Sequence, residues 1–336
     1  MKIILLSGGA GKRLWPLSNE LIPKPFMKVM NNKQDAPISM LQKTWRVLVD
    51  KFGDENVFVA GNHRHESILR EQLGERARLI LEPAQRDTFA AIALAASYLS
   101  EQADIRCDET MIVLPVDAYT DPTFYDCLNE MDHLIQREYA PLALIGIKPK
   151  YPADKFGYIL PQPRSDRAPC HYVQSFCEKP DLQTARELIE QGALWNGGVF
   201  AFRLQYLQEH LVRMQFPWDF RSLYARYDTI PRISFDYMIV EPEKNILFVT
   251  YDGVWTDLGT WSEMIRVLSP ESSGLVIKDD QCEGTFVVNQ LNIPIIVSDV
   301  RDTIISAGPN GILVSSIRAS HDVKPLIDKL PTMNKG

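Results

Sequence analysis

The chain has 336 residues, 45% of them hydrophobic, and a formal net charge of -7. That is enough apolar material for one large domain with a smaller partner. The mixed, slightly acidic composition argues against a nucleic-acid partner, and no apolar run reaches membrane-spanning length. The N-terminus has no secretory pattern, and the five cysteines (Cys107, Cys127, Cys170, Cys177, Cys282) form no C-x-x-C pair. They read as reduced thiols of a cytoplasmic protein, not as zinc ligands.

The first predicted element is a buried strand, Ile3–Leu6. Behind it stand Ser7, Gly8, Gly9, Ala10, Gly11, Lys12, Arg13, Leu14, Trp15, Pro16, Leu17 and Ser18, with Lys24-Pro25-Phe26 a little further on. Glycines let a backbone approach a ligand closely, and clustered cations suit phosphate. Two common phosphate loops fit poorly. A P-loop would need Gly at Leu6 and a hydroxyl at Arg13, and the dinucleotide fingerprint would need Gly at Leu14. A tight turn without a ligand is the plain alternative.

Further strands are predicted at Val57–Ala60, Leu79–Glu82, Met111–Pro115 and Leu142–Ile147, with amphipathic stretches between them. This alternation predicts an α/β fold, Rossmann-like, with a mostly parallel mixed sheet flanked by helices. His63 and His65 read as a solvated loop. After Glu82 come Arg86, Asp87 and Thr88, then an Ala-rich helix, Phe89–Ser100, apolar nearly all round and therefore buried. Asp87 or Thr88 is placed to cap it. Its N-terminus would present partial positive charge.

Two strands end near a carboxylate: Met111–Pro115 before Asp117, and the run Ile246–Thr250 before Asp257. Each aspartate could simply shape a turn. From Phe156 to Phe202 the pattern is irregular and reads as strands and loops forming one wall of a cleft. Glu178-Lys179-Pro180 would ordinarily be a surface turn. After Pro270, short strands are predicted at Thr285–Val288, Ile295–Val297, Thr303–Ser306 and Gly311–Ile317, with a turn at Pro309-Asn310-Gly311 and Ser320 capping a final helix. The domain reading is 1–268 for a catalytic domain and 269–336 for a small β domain.

The string from Ser7 to Ser18, followed by Lys24, resembles the signature of sugar-nucleotide pyrophosphorylases. It looks most like the mannose-1-phosphate guanylyltransferases, although Pro25 stands where that family usually has Gln. The similarity continues in order through residues 82–88, 112–117, 156–158, 178–181, 196–200, 234–237 and 255–261. It implies a nucleotidyltransferase fold whose tail is a stub of left-handed β-helix. It also implies transfer of GMP from GTP to a sugar 1-phosphate, mannose 1-phosphate in the first instance.

The roles that follow from the resemblance are specific. Ser7, Gly8, Gly9, Gly11, Lys12, Arg13, Glu82, Arg86 and Thr88 would bind the nucleotide, with Arg13 and Lys24 on its phosphates. Glu82 would read guanine, whose adjacent N–H donors one carboxylate can accept; the alternative is that Glu82 ends its strand and pairs with Arg86. Asp117 and Asp257 would hold Mg²⁺. Gly157, Tyr158, Glu178, Lys179, Asn196, Gly197 and Asp236 would bind the sugar phosphate, with Lys179 on its phosphate; Asp236 could equally support the fold. Trp195, Trp255, Trp261 and Tyr158 read as a sugar-stacking set or as core. Asp87 departs from the family's Asn, and Gly197 from a common Ser. A homodimer is implied by the family alone. The same chemistry on another sugar or base, a non-catalytic sugar-nucleotide binder and a nicotinamide oxidoreductase are the competing readings.

Overall fold

The computed structural model describes residues 1–8, 14–19, 22–32, 35–103, 105–163, 170–268 and 272–330. Its contacts divide the chain into two compact units. The first comprises Met1–Ser7, Trp45–Val116 and Thr120–Trp255; the second comprises Gly8–Thr44, Asp117–Tyr119 and Thr256–Gly336. The division is therefore not one cut near residue 268. The segment after the first strand groups with the tail.

The first unit is built on nine strands: β1 (Lys2–Leu6), β2 (Val57–Asn62), β3 (Arg78–Glu82), β4 (Thr110–Pro115), β5 (Leu142–Ile147), β6 (Tyr158–Pro161), β7 (His171–Cys177), β8 (Leu194–Arg203) and β9 (Ile246–Tyr251). Their order in the sheet is β3-β2-β1-β4-β8-β5-β9-β7-β6, with a further pairing of β8 to β6. Strands β3, β2, β1 and β4 run parallel, as do β5 and β9. Strand β8 lies antiparallel to β4, β5 and β6, and β7 is antiparallel to β9 and β6. The sheet is thus mixed, not mostly parallel as the sequence suggested. A strand buried on both faces shows the same continuous apolar run whichever way it points.

The Ala-rich helix spans Asp87–Glu101 and is buried along most of its length, from Phe89 to Leu99. It packs with Ile4, Phe58, Val113, Phe202 and Leu207 in the main core. Neither Asp87 nor Thr88 caps it; the N-cap position belongs to Arg86, without a side-chain capping bond. Among the described residues, no helix is long and apolar enough to cross a membrane.

In the second unit, Leu14, Leu17, Met27, Met30, Leu258, Trp261, Phe286 and Ile304 share one core. Part of the signature string is therefore packing. The indole of Trp15 lies so close to Gly311 that a Cβ there would sit 2.6 Å from the ring, and Gly311 has a φ of 143°. Only glycine suits that position.

Tail strands Val276–Lys278 and Ile295–Val297 pair in parallel, as do Phe286–Asn289 and Thr303–Gly308. Thr303–Gly308 then turns into Gly311–Ser316 as a hairpin. Ser320 does not cap the last helix, Lys324–Ile327; its hydroxyl donates to the Ile317 carbonyl at 2.7 Å.

Candidate active site

In the second unit, one cation meets two carboxylates. Lys24 opens a short 3-10 helix, Lys24–Phe26, behind Pro23, and is 6% exposed. Its Nζ lies 3.3 Å from Asp117 Oδ2 and 3.0 Å from Asp257 Oδ1. Burial pulls the lysine pKa down, but the two aspartates outweigh it and the net direction is up. The ammonium is held charged. Asp117 follows β4 by two residues, and Asp257 closes the short strand Trp255–Asp257. Their side chains are 46% and 23% exposed.

This donor set fits a hard divalent ion that takes one or two carboxylates and completes its shell with phosphate and water. No group of three or more His, Cys, Asp or Glu that could hold a metal occurs among the described residues. Gly9, Gly11, Lys12 and Arg13 lie outside the described residues. Gly8 is exposed, with no atom within 4 Å of where a Cβ would stand.

The remaining candidates belong to the first unit. Ser7 is buried, and both its N–H and its hydroxyl donate to the Ala60 carbonyl, at 2.9 and 2.8 Å. Its hydroxyl ties β1 to β2. Glu82, at the end of β3, is 8% exposed and accepts a hydrogen bond from the Tyr227 hydroxyl at 2.5 Å. Burial raises its pKa to about 7, against the lowering effect of that bond.

Arg86 does not pair with Glu82. Its Nε and Nη2 donate to the Ile230 carbonyl at 3.0 and 2.7 Å. Thr88 Oγ1 accepts from the Phe235 N–H at 2.8 Å. Both side chains carried over as nucleotide contacts thus hold the segment after Tyr227. The sequence reading missed Tyr227 entirely; no local pattern marks it, since its partner lies 145 positions away.

A third cluster gathers the sugar candidates. Lys179 Nζ is 2.6 Å from Glu178 Oε1, and Asn196 Nδ2 donates to Asp236 Oδ1 at 2.8 Å. Asn196 N–H donates to the Gly157 carbonyl at 2.8 Å, and a Cβ on Gly157 would stand 2.6 Å from Glu178 Oε2 and 3.3 Å from Asn196 Cβ. The bare glycine is what lets Glu178 lie there. Gly197 sits in the irregularity of β8 between Asn196 and Phe200. Asp236 is pushed up by burial first and by the charge of Glu178 second, with Lys179 opposing.

Tyr158 does not belong with this cluster. It is 1% exposed, and its hydroxyl is bonded to the Ala153 backbone and to Trp195 Nε1. Trp195, Trp255 and Trp261 are likewise buried and read as core, not as a stacking platform.

A charged lysine between two aspartates is an arrangement suited to phosphate and a divalent ion, the chemistry of nucleotidyl transfer. The sequence profile of the nucleotidyl transferases matches residues 2–272, and the chain belongs to that family. It is 31% identical to the mannose-1-phosphate guanylyltransferase of Escherichia coli, over 97% of this chain and 75% of the relative. It is 29% identical to that of Salmonella montevideo, over 99% and 74%. Among solved structures, that of mannose-1-phosphate geranyltransferase from Thermus thermophilus superposes with a TM-score of 0.80 at 27% identity, covering 98% of each chain.

Proposed function

We propose that the protein transfers GMP from GTP to α-D-mannose 1-phosphate, releasing pyrophosphate and GDP-mannose. The observation that carries this reading is the meeting of Lys24, Asp117 and Asp257 around one point. The similarity to guanylyltransferases over nearly the whole chain supports the choice of substrates.

The reaction joins two anions, a sugar-phosphate dianion and a nucleoside triphosphate, which repel unless screened. Arg13 and Lys12, with Lys24, provide the protein's own positive charge for the triphosphate. When bound, Mg²⁺ held by Asp117 and Asp257 would supply charge neutralisation at the α-phosphate. Glu82 accepts the two adjacent N–H donors of guanine, a pair that adenine lacks. Glu178 and Asn196 take sugar hydroxyls, and Lys179 takes the sugar phosphate.

The attacking oxygen belongs to a phosphate already ionised at neutral pH, so no general base is required. It displaces pyrophosphate in line: a bond forms from sugar-phosphate oxygen to the α-phosphorus as the bond to the bridging oxygen breaks. A cytoplasmic homodimer, and a tail built as a β-helix stub, complete the reading. The parallel registers Val276 to Ile295 and Phe286 to Ile304 are of the kind that stacked coils give.

The decisive experiment is a grid of nucleoside triphosphates against hexose and heptose 1-phosphates, scored by pyrophosphate release. GTP with mannose 1-phosphate should dominate. Another dominant pair would move the assignment. Tight GDP-mannose binding with no turnover for any pair would replace the enzyme by a binding protein.

A further inference from the structure

The segment from Tyr227 to Asp236 makes a series of bonds that the roles above do not use. Tyr227 donates its hydroxyl to Glu82 at 2.5 Å. Three residues on, the Ile230 carbonyl receives both Arg86 donors. The Ile233 carbonyl then accepts the Phe89 N–H at 3.3 Å, and the Phe235 N–H donates to Thr88 at 2.8 Å. The same strap ends on Asp236, which accepts from Asn196 at 2.8 Å.

Between these ends the strap is embedded. Tyr227, Ile230 and Phe235 are 1%, 0% and 0% exposed. The Phe235 ring lies 4.8 Å from that of Phe200 and 5.5 Å from that of Phe202, on the strand that carries Asn196. One short length of chain therefore grips the loop from Glu82 to Phe89 on one side and Asn196 on the other.

We propose that this strap is a positioning device that sets the base-reading carboxylate and the sugar-reading amide together, with Tyr227 holding Glu82 and Arg86 holding the strap. The inference rests on the reading of Glu82 as the guanine contact and Asn196 as a sugar contact. A carboxylate without a fixed partner has more than one rotamer open to it. A phenol O–H fixed in the core selects one and favours the ionised form that accepts guanine's N–H donors. The groups facing Glu82 are the Tyr227 hydroxyl and, at its backbone carbonyl, the His63 ring at 3.2 Å; the Arg86 charge acts on Tyr227.

Arg86 separates this proposal from the simpler one. A residue that touched the nucleotide would affect GTP alone. A residue that holds the strap affects both substrates.

The test uses the full-length enzyme with three variants. Tyr227→Phe keeps the ring and removes one hydroxyl. It should raise the KM for GTP by about tenfold with kcat little changed. It should also move the midpoint of the pH dependence of the GTP KM upward, which a merely structural role would not do. Arg86→Lys keeps the charge but loses the two-pronged grip, and should raise the KM of both GTP and mannose 1-phosphate. Glu82→Gln is the reference. If it leaves the preference for GTP over ATP unchanged, the reading of Glu82 fails. If Glu82→Gln erodes that preference while Tyr227→Phe keeps the wild-type KM and pH midpoint, the positioning role of Tyr227 is overturned. An Arg86→Lys effect confined to GTP overturns the strap and restores Arg86 as a nucleotide contact. Should Arg86→Lys fold poorly, binding of GDP-mannose to Tyr227→Phe by calorimetry supplies the same decision through its pH dependence.

Discussion

Lys24 and Asp257 are 233 residues apart in the chain, and the lysine Nζ lies 3.0 Å from the aspartate Oδ1. Asp117 closes the other side of the same ammonium at 3.3 Å. One positive charge thus stands between two negative ones, leaving the trio with a net negative charge. Removing the lysine would leave the two carboxylates without the cation that bridges them, an arrangement that either repels or recruits one from solution.

Lys24→Met is accordingly expected to lose activity by about a hundredfold or more, as loss of a phosphate clamp does. It should also lose on the order of 1–2 kcal/mol of stability, discounted from the cost of breaking a fully buried pair because Asp117 is half open to solvent. The informative measurement is thermal denaturation with and without Mg²⁺ or Mn²⁺. The divalent ion should raise the melting temperature of Lys24→Met more than that of the wild type, because it replaces the missing charge. No shift in either protein would remove Asp117 and Asp257 from the metal site.

Glu82 gives a pH-dependent prediction. Its pKa is ordinarily near 4.5 and is raised here to about 7 by burial. Below 4.5 the group is protonated whether the chain is folded or not. Between 4.5 and 7 the unfolded chain releases the proton while the folded one keeps it, so stability falls as pH rises. Above 7 the loss is complete, on the order of 3 kcal/mol. Glu82→Gln cannot ionise, so its stability relative to the wild type should climb from about pH 5 to about pH 8 and then level off. Urea melts at several pH values measure this; a constant difference would mean that Glu82 is ionised throughout. The same variant should reduce the preference for GTP over ATP by about tenfold, the loss of a hydrogen bond to a charged group.

These expectations show what the sequence carries. Strands β1, β2, β4 and β5 are legible because each is a short apolar run buried on both faces, and the helix Asp87–Glu101 because it is apolar all round. The direction of β8 is not, because burial leaves no mark of direction. The meeting of Lys24 with Asp117 and Asp257 is invisible to spacing; the family pattern pointed to the residues, and only the fold brings them together. Arg86 and Thr88 came to the nucleotide through the resemblance; the bonds they make here, to the Ile230 carbonyl and from the Phe235 N–H, involve backbone groups, which no sequence pattern marks. Trp15 shows the reverse. It stands in the signature string and packs on Gly311.

Gly157→Ala tests the sugar cluster by geometry alone. The added Cβ would stand 2.6 Å from Glu178 Oε2 and 2.7 Å from Phe176 Cζ, closer than contact allows. Glu178 must move, and its salt bridge to Lys179 with it. The KM for mannose 1-phosphate should rise by about tenfold or more, a lost charged contact, while the KM for GTP holds. Equal changes in both would place Glu178 outside the sugar site.

Lys179 is the last and most selective probe. Its φ of 48° is left-handed, and alanine in its place would meet the same backbone strain. Lys179→Ala therefore reports the loss of the ammonium and not a relaxed turn. Burial lowers the lysine pKa, but the bond and charge of Glu178 carry the net direction up, so the group is cationic at working pH. Glu178 would then keep its place while the sugar phosphate loses its counter-charge. The KM for mannose 1-phosphate should rise by about tenfold or more with the GTP KM nearly unchanged. The discriminating arm is the reverse reaction: binding of free pyrophosphate, which has no sugar phosphate to contact Lys179, should be unaffected. A weaker hold on pyrophosphate in Lys179→Ala would reassign this lysine to the leaving group.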